Sequence, residues 1–122
     1  MNVLGVDNVL FGVDDLDTAV DFYADKLGLP LAFRLDEPGI ALFRLGDETP
    51  GLLVRAGTPA GGRVWLEVRD ARATAKSLRA AGVQPLAEPF EVATGWTVEV
   101  ADPYGNVVGF TDYATMPSRG RP

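Results

Sequence analysis

Two arginines, Arg55 and Arg63, two glutamates, Glu67 and Glu99, and Asn8 fall on strand-like segments, and the 122 residues contain no histidine and no cysteine. Trp65 and Phe43 share their phase. Leu53 adds apolar wall, while Gly109 and Gly12 leave room. Aromatic walls with a few convergent polar groups are the usual make-up of a small-molecule site. Two chemistries follow. In the first, the crevice holds an aromatic ligand. One stacked ring pair contributes only ~0.5–1.5 kcal/mol beyond area burial, so affinity would need the whole crevice. In the second, a metal-free isomerase, cyclase or lyase uses Glu67 or Glu99 as general base, with Arg63 against a developing oxyanion. An adjacent arginine lowers a glutamate's pKa and works against that role. Arg63 beside either glutamate also reads as a plain internal ion pair. A third reading is an interaction module with a vestigial cavity. The binding reading is the one adopted, with no catalytic residue assigned.

A repeat positions these side chains. Asn8-Val9-Leu10-Phe11-Gly12-Val13-Asp14-Asp15-Leu16 returns 55 residues later as Arg63-Val64-Trp65-Leu66-Glu67-Val68-Arg69-Asp70-Ala71. Both copies read as a strand entering an amphipathic helix. In the first, the strand spans residues 6 to 13 and Asp14 or Asp15 offers an N-cap. Leu16, Ala19, Val20, Tyr23 and Leu27 form one helical stripe, closed by Gly28. Strands follow at Leu31 to Leu35, Ile40 to Leu45 and Leu52 to Arg55. In the second, Asp70 caps a helix with the stripe Ala71, Ala75 and Leu78. A short strand lies within residues 83 to 92. A hairpin then turns through Asp102-Pro103-Tyr104-Gly105-Asn106. The expected fold is α+β: two tandem βαβββ modules forming a curved mixed sheet, with a concave ligand cavity and helices on the outer face. Residues 1–122 make one domain, with modules at 5–56 and 63–113, a Gly/Pro-rich linker at 57–62 and a flexible tail at 114–122.

Strand alternation assigns faces. Val9, Phe11 and Val13, and Val64, Leu66 and Val68, face the helices. Asn8, Leu10 and Gly12, and Arg63, Trp65 and Glu67, face the cavity. A hairpin symmetric about Tyr104 sets Glu99 across from Gly109 on the cavity side and Val98 across from Phe110 in the core. The first half, phased alike, sends Ala41, Phe43, Leu53 and Arg55 to the cavity. Arg44 then falls among the core residues, against that phase. Trp96 falls on the core side.

Net charge is −6 with a pI near 4.5, which opposes nucleic acid as a partner. Arg69, Arg72, Lys76 and Arg79 have helical spacing and read as a solvated face. No apolar run is long enough to span a bilayer, and no signal peptide is visible. The expected location is cytoplasmic.

Val13-Asp14-Asp15-Leu16, Ala19, Phe22-Tyr23 and Leu27-Gly28-Leu29, together with Asp102-Pro103-Tyr104-Gly105-Asn106-Val107-Val108, resemble the opening and closing patterns of the vicinal oxygen chelate superfamily, the glyoxalase and bleomycin-resistance proteins. The resemblance covers roughly residues 5 to 113. It implies four strand positions that carry His, Gln or Glu ligands in metal-dependent members. Here those positions fall on Asn8, Leu53, Arg63 and Gly109. Arginine, leucine and glycine are not metal ligands, so no metal or other cofactor is expected, and glyoxalase or ring-cleaving dioxygenase activity is not expected either. The resemblance further implies a metal-free protein that sequesters an aromatic natural product or antibiotic, and a homodimer whose modules pair within or between chains.

Overall fold

The computed structural model describes residues 1–2 and 8–122, with residues 48–50 in backbone only. The expected module start at residue 5 and strand start at residue 6 lie outside the described residues. Internal contacts divide the chain between Gly62 and Arg63 into two units. Each has the order strand, helix, three strands, so the α+β reading with two βαβββ modules holds.

The first unit contains β1 (Asn8–Val13), α1 (Leu16–Val20), β2 (Leu31–Leu35), β3 (Ile40–Leu45) and β4 (Glu48–Ala56). Its sheet order is β1-β4-β3-β2, with β1 parallel to β4. The second unit contains β5 (Arg63–Glu67), α2 (Ala71–Ala80), β6 (Phe90–Val92), β7 (Gly95–Ala101) and β8 (Val107–Thr111). Its order, β5-β8-β7-β6, repeats the first, with β5 parallel to β8. No helix among the described residues is long and apolar enough to cross a membrane.

Local chemistry sets both helix starts. The Asp15 carboxylate accepts from the Thr18 backbone N–H at 2.8 Å, and Asp70 accepts from Ala73 at 3.0 Å. Each satisfies a first-turn donor that the helix leaves orphaned. Ala71, Ala75 and Leu78 are buried as the α2 stripe requires. After Val20, α1 widens into a π-helical turn over Asp21–Lys26. Within this turn two consecutive residues, Phe22 and Tyr23, are both buried, their rings edge-on with centroids 5.0 Å apart. The stripe spacing alone had picked out only Tyr23.

The β7–β8 register is the expected one: Glu99 opposes Gly109, and Val98 opposes Phe110. Val98, Val100 and Val108 are fully buried. The β3 phase is corrected. Phe43 opposes Leu52 and Ala41 opposes Val54, and all four are fully buried. The Phe43 ring lies 5.4 Å from that of Tyr23, on the helix side. Ala41 and Phe43 therefore belong to the core and face away from the expected cavity. Ile40, Ala41, Leu42 and Phe43 are all apolar, so alternation gave no phase. Arg44, exposed in the structure, was the residue that marked the slip.

Candidate functional site

In the second unit, the face of the sheet turned away from α2 carries most of the polar candidates. Val64 and Leu66 turn towards the helix side, so Arg63, Trp65 and Glu67 turn the other way. Three cross-strand rows result: Arg63–Val107–Ala101, Trp65–Gly109–Glu99 and Glu67–Thr111–Thr97. The Trp65 indole lies directly over Gly109, where a Cβ would collide with its Cδ1. Gly109 therefore does not leave empty room; it seats the indole. Trp65 is 52% exposed, so about half of the residue meets solvent.

Arg63 Nη1 donates to Glu99 Oε2 at 3.0 Å, and its guanidinium carbon lies 5.7 Å from the Trp65 ring centroid. The ion pair is only partly buried, so it contributes at most about 1 kcal/mol to stability. Its clearer effect is to hold a cation and a carboxylate beside an exposed indole.

Glu67 is bound by the C-terminal segment. The Arg121 backbone N–H donates to Oε2 at 2.8 Å, and Arg121 Nη1 donates to Oε1 at 2.7 Å. The backbone bond first, then the guanidinium, holds the Glu67 carboxyl below its ordinary value of 4.5. The same segment forms a 3-10 turn at Pro117–Arg119, and Arg69 donates to the Pro122 carbonyl at 3.3 Å. No local pattern signals a contact between residues 54 apart, so sequence reasoning missed Arg121. Deleting residues 120–122 should raise the Glu67 pKa towards 4.5 in a carboxyl carbon NMR titration. Arg121→Ala should raise it less, because the leading backbone donor remains. An unchanged titration in both variants would refute the contact.

The first unit has its own open face, on the side of its sheet away from α1. Leu10, Leu53, Leu42 and Phe33 oppose one another in a single row across all four strands. Gly12, Arg55, Ile40 and Leu35 form the next row. Leu53 and Arg55 thus lie on the sheet face away from the helix, and Asn8 starts that face opposite Gly51. Phe33 and Leu35, both exposed, were missed with the β3 phase. Gly12 also leaves no room, since the Thr58 and Pro59 carbonyls occupy the place of its Cβ. Trp96 lies on the helix side as expected, its ring 4.3 Å from the Arg72 guanidinium.

The structure thus gathers Arg63, Trp65, Glu99 and Gly109, with Glu67 one row along. Asn8, Leu53 and Arg55 share the face of the other sheet, and Phe43 joins neither group. A divalent cation does not fit the donor set. Of Asn8, Leu53, Arg63 and Gly109, only Asn8 offers a neutral oxygen donor, and Arg63 brings a positive charge. Among the described residues, no group of three or more His, Cys, Asp or Glu side chains is placed to hold a metal ion.

The chain belongs to the Glyoxalase/Bleomycin resistance protein/Dioxygenase superfamily, whose family model matches residues 5–110. The fold is shared with several solved structures. One is the lactoylglutathione lyase from Agrobacterium tumefaciens, at 21% identity over 94% of this chain and 98% of that one, with a TM-score of 0.76. Another is a glyoxalase/bleomycin resistance protein/dioxygenase from Nocardioides, at 22% identity over 100% and 91%, TM-score 0.74. A third is UcmS2, at 25% identity over 90% and 98%, TM-score 0.77. No curated protein matches the chain.

Proposed function

We propose that this protein is a metal-independent member of the superfamily that binds an aromatic small molecule, a natural product or antibiotic, and sequesters it unchanged. The observation that carries the proposal is Trp65. Its indole is seated on Gly109 and half exposed, with Arg63, paired to Glu99, over the ring. An exposed ring beside a fixed cation and carboxylate offers stacking to a flat ligand and hydrogen bonds to its polar rim. The apolar rows of the first sheet suit the same class of ligand. Homodimerisation, which the resemblance implies, and a cytoplasmic location belong to this proposal.

The metal-free enzyme fares less well on the same geometry. Glu67 is held as a carboxylate below its ordinary pKa by Arg121, and Glu99 is ion-paired with Arg63. A general base acting near neutrality needs a raised pKa. Trp65→Ala should weaken ligand binding at least about tenfold, since it removes the stacking surface, worth ~0.5–1.5 kcal/mol, and its buried area. Glu99→Gln should leave a bound ligand chemically unchanged, as in the parent protein. Calorimetric titration followed by mass analysis of the recovered ligand checks both. Turnover that disappears in Glu99→Gln would revive the enzyme.

A further inference from the structure

In each module the segment that leaves the last strand meets the first strand at the same repeat position. In the first unit the Thr58 and Pro59 carbonyls fill the place of the Gly12 Cβ. At the repeat offset of 55 the matching position is Glu67. There the contact is polar: the Arg121 backbone N–H and guanidinium both donate to the Glu67 carboxylate. The same segment is tied earlier to the turn between β6 and β7, where the Thr115 N–H donates to the Thr94 carbonyl at 3.0 Å. Residues 115–121 therefore form a strap from that turn to the end of β5, and β5 and β6 are the outer strands of the sheet. Gly120 lets the strap sit low, since a Cβ there would come within 2.9 Å of Glu67 Oε2 and 3.0 Å of the Tyr113 Cβ. The sheet face is closed at this end. Thr97, in the Glu67 row and facing away from α2, is buried, whereas Trp65 is half exposed.

We propose that Arg121 is a built-in occupant of the Glu67 carboxylate, and that a ligand stacked on Trp65 and carrying an amidinium, guanidinium or ammonium group displaces it and lifts the strap. This rests on the reading of Trp65 as the ligand platform. Trp65 and Glu67 point to the same face two residues apart on β5, roughly 7 Å along the strand. A flat ring with a short cationic arm spans that distance. A planar cation can take both carboxylate oxygens with paired hydrogen bonds. The displaced contact is weakly held. The Arg121 side chain is 67% exposed, and an exposed ion pair adds little net stability. The matching contact at Gly12 is backbone against backbone and offers no charge for a ligand to replace. A neutral ligand gains nothing at Glu67. An anionic one meets Glu67 and Glu99 on this face, while Arg63 is already paired with Glu99.

Fluorescence titration with benzamidine, and with neutral benzamide as its control, tests this in the Trp96→Phe background, where Trp65 is the reporter. The chains compared are the parent, R121P, which removes the backbone and guanidinium donors together, and E67Q. Circular dichroism verifies the fold of each. Benzamidine should bind R121P roughly fivefold more tightly than the parent, the factor expected when an internal competitor fills the subsite about four-fifths of the time. E67Q should bind benzamidine and benzamide alike, and benzamide should not distinguish R121P from the parent. In the parent, saturating benzamidine should also speed hydrogen exchange at the Arg121 amide. Equal benzamidine affinity in parent and R121P, with quenching intact, overturns the strap and leaves the reading of Trp65 standing. So does a benzamidine-bound parent whose Arg121 amide exchanges no faster. No quenching by either probe in any chain removes Trp65 as the platform, and the proposal falls with it.

Discussion

Phe43→Ala is expected to lower the unfolding free energy by roughly 3–5 kcal/mol, the range for truncating a buried aromatic. Phe43 is fully buried between the sheet and Tyr23, whose ring centroid is 5.4 Å away. The neighbours cannot easily collapse into the space. Leu52 and Val54 are fixed by their ladder positions, and Tyr23 sits in the π-helical turn. Phe43→Leu, which keeps most of the volume, should cost much less. Urea unfolding of both variants gives the values. A loss below about 1 kcal/mol for Phe43→Ala would be too small for a core aromatic. It would return Phe43 to a ligand-facing role.

Asp112→Ala is expected to cost roughly 2–4 kcal/mol, because it strips the acceptor from three backbone donors at once. Asp112 is 2% exposed. Its Oδ2 accepts from Ala71 N–H at 2.8 Å, and its Oδ1 from Trp96 at 2.8 Å and Ala114 at 3.2 Å. One carboxylate thereby ties the first turn of α2, the start of β7 and the exit from β8. Burial pushes its pKa up, but the three N–H groups and nearby Arg72 outweigh burial, and the pKa falls below 3.8. A lowered folded pKa contributes stability that is fully present above the unfolded value and disappears as pH falls through the folded one. The parent protein should therefore lose stability below about pH 4 more steeply than Asp112→Asn. Asn keeps an oxygen acceptor, so at neutral pH it should cost less than Ala. Urea unfolding at several pH values separates the two effects. Equal acid limbs would show that Asp112 is not a stabilising carboxylate.

The extent to which these features were legible in the sequence varies with the strength of the local signal. Asp70, and the pair Asp14 and Asp15 of which Asp15 is the cap, announced their helices because a cap is a contact three residues long. The β7–β8 register was readable because Asp102-Pro103-Tyr104-Gly105-Asn106 closes itself. Asp102 Oδ1 accepts from Tyr104 at 2.9 Å and from Asn106 at 2.8 Å, which fixes the strands on either side. In β3 both faces are apolar and the phase slipped, so Phe43 was placed on the wrong side while Leu53 and Arg55 were placed correctly. Asp112 and Arg121 were missed for another reason. Their partners Ala71 and Glu67 are 41 and 54 residues away. Distant pairings of this kind have no periodicity to betray them. Gly109 was singled out, yet as empty space; only the structure shows the Trp65 indole filling it.

The fold hosts many chemistries, so family membership alone does not decide between binding and catalysis. The most direct test is a fluorescence titration of Trp96→Phe, which leaves Trp65 as the sole tryptophan reporter. It would be titrated with a panel of aromatic and peptide natural products, bleomycin included, with and without a metal chelator. Metal-independent sequestration predicts saturable quenching by at least one compound, unchanged by the chelator, with that compound recovered intact on mass analysis. Quenching that requires an added metal, conversion of the compound, or no response from Trp65 across the panel would contradict it.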